Sequence, residues 1–412
     1  MRKTWKKSFL RERKEFWRRY IMRKVNADPW SIAGAICSSL ASSLAMRDAM
    51  RIAADITGEK SLLAISREIC MEDYIEVLSK RKGPLGKLFS RINTIYRRIY
   101  EGRSDIKAAF EELMEDFANE QRKRIESIGN IATLVGIISA LLPFALIYSG
   151  IISGIVSEGI SPELMLYSSL ISIPVDISAV MILRKDSPYR LDSLYSAIAA
   201  IISLSLFPAF LLLLPFSPST SVEMALLSLF LGYIIIKKSE RIREKEIFDG
   251  LDFTEEQCIK VGSGFSPDIS LLEALSFKLR HTRASSIPSL LISLFKSGAK
   301  PDEVHKSMLF IISSVRRSWE RELSERRSKA FIGLVLAIII SLSFFVLKRS
   351  IAMMSERLVA QLELAELSIL LSMSLFGVIL GALRTGNALS GMREVSVISA
   401  FMLITKILGG FV

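Results

Sequence analysis

Side chains that carry covalent or metal chemistry are scarce in this chain of 412 residues, which holds three cysteines and two histidines. Cys37, Cys70 and Cys258 lie far apart, and His281 and His305 show no metal-ligand spacing, so neither a disulfide framework nor a zinc site is indicated. No G-x-x-x-x-G-K-[ST] phosphate loop is present. Gly83-Pro-Leu-Gly86-Lys87 is too short and Gly58-Glu-Lys60-Ser61 lacks the leading glycine, so the chain is not expected to hydrolyse nucleotides by itself. H-E-x-x-H and G-x-S-x-G are also missing, and the sequence shows no paired intramembrane carboxylates of the kind a membrane protease needs. An enzyme reading has no residues to rest on, and no cofactor or metal is expected. Amides are few as well: three Gln and five Asn stand beside abundant Arg, Glu, Lys and Ile, a bias common in thermophiles.

What is abundant is apolar surface. Half of the residues are hydrophobic and the mean hydropathy is +0.38, too high for an ordinary soluble chain. The expected fold class is all-α, a polytopic membrane protein. A helix crossing about 30 Å of hydrocarbon needs about 20 mostly apolar residues. Residues 127–157 carry no charge, residues 164–183 carry only Asp176, and residues 193–222 carry none. These runs predict a span near 130–154 and second and third spans within 164–183 and 193–222, with a Pro-rich turn from Pro215 to Ser221 after the third and a returning span near 220–236. Further runs at 330–347, 367–383 and 395–412 bring the expectation to about seven spans, the last interrupted by Lys406, which can snorkel outward.

The polar segments divide by charge. Residues 1–24 hold 11 Lys or Arg against 2 Glu, so nine of the twelve net positive charges sit in one short arm. No apolar stretch follows the arm directly, so it does not read as a cleaved signal. It reads either as a strip resting on anionic lipid or as a protein dock. The arm, the loop with Arg184, Lys185 and Arg190, the run from Lys237 to Lys245 and the loop with Arg384 and Arg393 fall on one side of the predicted spans. The opposite loops hold Glu158, Glu163, Glu223 and a balanced segment at 348–366. Because cytoplasmic loops retain positive charge, the N-terminus is expected inside and the C-terminus outside.

Two polar blocks remain, and both read as helical. The expected organisation is a basic arm at 1–28, a first cytoplasmic helical module at 29–129, four spans over 130–236, a second module at 237–329 and three spans over 330–412. Ile106, Phe110, Leu113 and Phe117 in the first block, and Val304, Met308, Ile312, Val315 and Trp319 in the second, follow helical spacing. Gly102 precedes one of these helices, and Gly298 precedes Pro301 at the start of the other. Each helix is expected to run on into a span, from 104 through about 154 and from 301 through 347. Upstream, the segment from Leu44 through Asp48 and Ala49 to Met50 lies parallel to that from Ile269 through Glu273 and Ala274 to Leu275, which predicts a repeat. The first copy would then carry about 29 extra residues, including the turn at Gly83, Pro84 and Gly86.

With these two modules, their turn glycines and the Gly-rich loop from Leu383 through Gly386 and Asn387 to Gly391, the chain resembles the type II secretion F-domain family. In particular it is similar to archaeal membrane platform proteins of type IV pili and archaella, from about residue 30 onward. A first module that is long and Ser-rich at 39–43, and the very basic arm, depart from that pattern and leave the subtype open. The resemblance implies a non-enzymatic part of a filament-assembly or protein-secretion machine. Its partners would be a cytoplasmic hexameric secretion ATPase, pilin-like subunits and membrane lipid, with a homodimer left open and no nucleic acid. A polytopic transporter or channel with helical regulatory domains is the alternative, and a membrane-anchored signalling scaffold is a third reading. Intramembrane charge discriminates, because transporters need several inward-facing ionisable groups and the sequence places only Asp176 deep in a span.

Arg97, Arg98, Arg316, Arg317 and Arg321 are the candidates for docking the ATPase, or else they form a solvated helix face. Asp176, which follows Pro174, would sit in the inner half of the bilayer, where a carboxylate costs about 2.5 to 3.5 kcal/mol on insertion scales. Pro174 also frees a carbonyl of the preceding turn. Asp176 either attracts the amine of a pilin or makes a structural hydrogen bond. Asp176→Asn keeps shape and removes charge. Normal protein level with lost filaments is the outcome expected of pilin attraction, and full filament assembly would exclude it.

Overall fold

The computed structural model describes residues 29–42, 44–69, 84–100, scattered helical positions between 108 and 149, 173–183 apart from Val175, 193–213, 218–279, 282–352 and 359–410. The basic arm, Cys70, Gly102, His281, the loop at Arg184 to Arg190 and the side chain of Arg97 lie outside the described residues. Among the described residues all regular structure is helical. The helices are α1 (Pro29–Ala41), α2 (Met46–Thr57), α3 (Lys60–Glu68), α4 (Pro84–Tyr100), α5 (Ser193–Leu213), α6 (Pro218–Gly262), α7 (Ile269–Lys278), α8 (Ser286–Lys296), α9 (Pro301–Ala352), α10 (Val359–Thr385) and α11 (Met392–Gly410). Short 3-10 turns at Arg283–Ser285 and Ala388–Gly391 precede α8 and α11.

Four of these helices, α6, α9, α10 and α11, contain stretches long and apolar enough to cross a membrane. The chain separates into two compact units: one of residues 1–121 and 246–318, the other of 122–245 and 319–412. The first unit has an ordinary buried core. Its helix α1 is apolar, but 13 residues span only about 20 Å, too short for a bilayer, and Ile32, Ile36 and Leu40 are buried instead. Helix α1 packs on α2 and α4, α2 also on α3, and α8 on α1, α2 and α7. Two helices of this unit end in the same way. Gly298 adopts φ +75, its N–H donates to Phe295 O at 3.2 Å, and Ala299 N donates to Leu294 O at 3.4 Å, which satisfies the last carbonyls of α8. Gly264, at φ +82, closes α6 likewise through Val261 O and Lys260 O. Helix α9 then opens on Pro301, as the sequence indicates, and continues unbroken to Ala352.

The start of α7 is fixed by Asp268, whose Oδ1 accepts the backbone N–H of Leu271 at 3.1 Å and the hydroxyl of Ser270 at 2.8 Å. These bonds hold its carboxyl below the usual carboxylate range. The segments aligned as a repeat differ in burial. Ala49 is buried where Ala274 is exposed, and Arg47 is exposed where Leu272 is buried. The heptapeptide register therefore gains no support from packing, and any likeness between the blocks lies in the order of helices and capping glycines.

The second unit is organised around α10, 72% of whose apolar window is buried against 28–44% for the other three. A helix buried on every side needs neighbours that approach closely, and small residues permit it. Gly377 and Gly381 lie one turn apart on α10, facing the 3-10 turn and the start of α11. A Cβ on Gly381 would sit 2.0 Å from Gly391 N, one on Gly391 2.5 Å from Val378 Cα, and one on Gly377 2.9 Å from Val395 N. Around this contact Ile369, Met373, Phe376 and Leu380 of α10 pack with Leu334, Ala337 and Phe344 of α9 and Ile398 and Met402 of α11. Gly381→Ala forces the two backbones apart and is expected to destabilise the protein by about 1 to 3 kcal/mol, read as a lower melting temperature in detergent. Gly129→Ala, whose Cβ meets only side-chain atoms at 3.6 and 3.7 Å, is expected to be neutral. Equal effects of the two would remove the close approach as a determinant of stability.

Candidate functional site

The apolar character of α6 ends between Ile236 and Lys237, and that of α9 begins between Lys329 and Ala330. At this level the second unit gathers most of its described charge. Arg384, at the end of α10, places Nε 3.2 Å from Glu394 Oε1 and Nη1 3.7 Å from Glu240 Oε2, and it donates from Nη2 to Ser390 O at 3.2 Å. The hydroxyl of Ser390 donates to Glu240 Oε1 and accepts from Thr385 Oγ1 at 2.7 Å. The guanidinium also lies over the ring of Tyr233, 5.6 Å from its centre, while Lys237 Nζ stands 6.0 Å from the same centre. Arg326 is 2% exposed. It pairs with Glu322 one turn away on α9 at 3.0 Å and donates to Leu383 O at 3.3 Å, one of the carbonyls that the end of α10 leaves unpaired. Arg327 pairs with Glu244.

These groups border a half-open cavity of about 570 Å³. One wall is apolar, with Phe230 of α6 and Ala330, Phe331 and Leu334 of α9. The other carries five basic residues (Lys237, Arg241, Arg327, Arg384 and Arg393) against three acidic ones (Glu240, Glu244 and Glu394), a surplus of two positive charges.

A second charged group closes the opposite ends of the same helices. Glu366 of α10 accepts from Lys406 of α11 at 3.0 Å and from Lys348 of α9, and Lys406 also donates to Ser219 of α6 at 2.8 Å. Glu223, 1% exposed, interacts electrostatically with Glu366 and Lys406. At 1.5 Å per residue the two charged levels are about 26 Å apart on α6 (Glu223 to Glu240), about 27 Å on α10 (Glu366 to Arg384) and about 32 Å on α9 (Arg327 to Lys348). That matches a hydrocarbon core of about 30 Å. On α11 the separation from Glu394 to Lys406 is about 18 Å, and there the long lysine side chain extends the reach.

The described residues singled out in the sequence fall in both units, Arg98, Arg316 and Arg317 in the first and Asp176 and Arg321 in the second. Arg98 is exposed on α4. Arg316 is engaged within the first unit by Asp252 and by Glu255 at 3.3 Å, and Arg317 Nε donates to Ser313 O at 3.3 Å. Arg321 is exposed on α9, among residues of the second unit. Asp176 is 2% exposed, and the carbonyl of Pro174 accepts the hydroxyl of Ser178 at 2.7 Å. Cys258 touches His305, with Sγ 3.9 Å from Nδ1, but burial pushes the thiol up to about 12, so it is neither a thiolate nucleophile nor a ready metal ligand.

Two features were missed in the sequence. Gly377-x-x-x-Gly381 inside an apolar run is a legible signal for close helix packing. The other is the partnership of Glu366 with Lys348 and Lys406, which adds buried charge at the end of the apolar region to Asp176 within it. Those residues had been placed in loops and in a terminal span, and no spacing rule joins them. No protein family, curated protein or solved structure matches this chain.

Removing one partner of a buried ion pair costs about 3 to 5 kcal/mol. Arg384→Met is therefore expected to destabilise the second unit by that amount, and adding Glu394→Gln to it should recover part of the loss. Thermal unfolding of the two single variants and the double in detergent measures the coupling. Simple additivity would show that the pair does not act as a unit.

Proposed function

We propose that this protein is a multi-pass platform in the cell membrane that couples a cytoplasmic hexameric ATPase to the extraction and assembly of pilin-like subunits, as the F-domain resemblance implies. The observation that carries the reading is the construction of α6 and α9. They are 45 and 52 residues long, and each is an apolar span over one part and a member of the polar first unit over another. A continuous helix of this kind transmits displacement along its axis, about 68 Å for α6 and about 78 Å for α9. The first unit draws on both polar blocks of the sequence, which supports a pair of cytoplasmic helical modules, and in the second block Gly298 closes a helix ahead of the long α9. Seven spans are part of the proposal, as are an N-terminus inside and a C-terminus outside. In that orientation the Arg384 level faces the cytoplasm and the Glu366 level the exterior, with the excess positive charge inside.

The transporter alternative gains one observation, since the second unit buries more charge than the sequence suggested. The described clusters lie at the two ends of the apolar slab, however, whereas substrate and coupling-ion sites of transporters lie near the midplane on interrupted helices. That position favours the platform.

The test is co-purification. The solubilised full-length protein is expected to bring down a P-loop ATPase and small subunits with hydrophobic N-termini. Arg98 and Arg317 are exposed, so Arg98→Glu with Arg317→Glu is expected to lower ATPase recovery severalfold without changing protein level. Recovery of a solute-binding protein in place of an ATPase would favour the transporter, and unchanged ATPase recovery by the variant would remove these arginines from the docking surface.

A further inference from the structure

We infer that the cavity beside Arg384 binds the headgroup of an anionic phospholipid, with an acyl chain laid along its apolar wall. The inference depends on the membrane setting of the four apolar helices and is independent of the machine the protein serves.

The cavity lies where both α6 and α9 change from charged to apolar sequence, which is the level of lipid headgroups. Phe230 and Phe331 on its apolar wall are 44% and 63% exposed, and Leu231, Ile234, Ile332 and Val335 beside them on the same helices are also exposed. Such side chains face lipid tails. Above them the charges are unequally used. Glu240 and Glu394 are neutralised through Arg384, which Arg393 supplements at 3.8 Å from Glu394 Oε1, and Glu244 is neutralised by Arg327. Lys237 and Arg241 are exposed, line the cavity and have no carboxylate partner among the described residues. They lie one turn apart on α6 and so point the same way. A phosphate group placed between them would meet two cations whose charge is unspent, while its ester-linked chain would run down over Phe331 and Leu334. A free phosphate would satisfy the cations and leave the aromatic wall unused, and a zwitterionic headgroup would bring its own cation to a site with a positive surplus. Each Lys or Arg near the surface adds to attraction for anionic lipid, and two together predict a preference of about tenfold or more.

Native mass spectrometry of the full-length protein in detergent, titrated with phosphatidylglycerol or with phosphatidylcholine of the same chains, reads this preference directly. The wild type is expected to bind phosphatidylglycerol about tenfold more tightly. Lys237→Gln with Arg241→Gln should reduce the difference to about twofold or less, and Lys296→Gln with Lys300→Gln, which removes two cations of the first unit, should leave it intact. Phe331→Ala should weaken both lipids equally, because it alters only the chain wall. Lys237 and Arg241 are exposed and have no carboxylate partner among the described residues, so a melting temperature within a few degrees of wild type is expected for their double variant. Equal affinity for the two headgroups, or a preference that survives the double substitution, would overturn the inference. Displacement of phosphatidylglycerol by millimolar inorganic phosphate would overturn it in favour of a free-anion site, and binding of an acidic peptide with no headgroup preference in favour of a protein dock.

Discussion

At Gly381 of α10 and Gly391 of the following 3-10 turn, backbone lies against backbone so closely that neither position has room for a Cβ. In a bilayer there is little hydrophobic gain in pressing one apolar helix on another, so packing must come from van der Waals contact over a close interface. The paired glycines provide that interface. They bring the start of α11 against α10 with only a short connection, and they hold Gly386 at φ +78 and the Asn387 cap of the 3-10 turn within it. Arg384 can reach Glu394, Ser390 and Glu240 together only because the turn is this tight. The charge network is thus downstream of a steric fact: without the glycines, the buried carboxylates of Glu240 and Glu394 would lose the cation that makes their burial tolerable.

The two charged levels give the apolar slab of the second unit its edges. Helices alone do not define where a membrane begins, since Phe230 and Phe331 are as exposed as many surface residues of soluble proteins. The ends are marked by side chains that must be in water, in headgroups or in ion pairs. At one end the pairs are made mostly by arginine, whose planar fork serves several acceptors at once, so that Arg384 contacts two carboxylates and a carbonyl. At the other, two lysines converge on a single carboxylate, Glu366. The arginine end is the more heavily cross-linked of the two, while the lysine end is held by fewer, more flexible side chains.

Much of the helical layout was legible because it depends on local signals. Pro301 and Gly298 mark the entry to α9, and the runs at 330–347 and 367–383 fall inside α9 and α10, because end signals and hydropathy act within a few turns. All-helical structure with apolar helices was legible for the same reason, and four helices among the described residues are long and apolar enough to cross a membrane. The apolar α1 shows the limit: its residues are hydrophobic enough for a bilayer, and only its length assigns it to a buried core. The charged site was not legible. Glu240 and Arg384 are separated by 144 residues, as the numbering gives, and each taken alone reads as a solvated group at the end of a span. Arg316 illustrates the reverse case. It read either as a docking charge or as part of a solvated helix face, yet its guanidinium is held by Asp252 and Glu255 of another helix. Spacing identifies neighbours along a helix, and it is silent on partners that arrive from elsewhere in the chain.

The pair of Arg326 and Glu322 has a bearing on how the protein is made. Its members are four residues apart on one helix, so they meet as soon as that turn of α9 forms, before any later helix has been synthesised. Arg384 and Glu394 likewise belong to one hairpin. Both pairs can therefore form locally, without a counterion from a distant part of the chain. The carbonyl of Leu383 is met by Arg326 only once α10 is in place, so an arginine already paired within its own helix also becomes the latch that ties the end of α10 to α9.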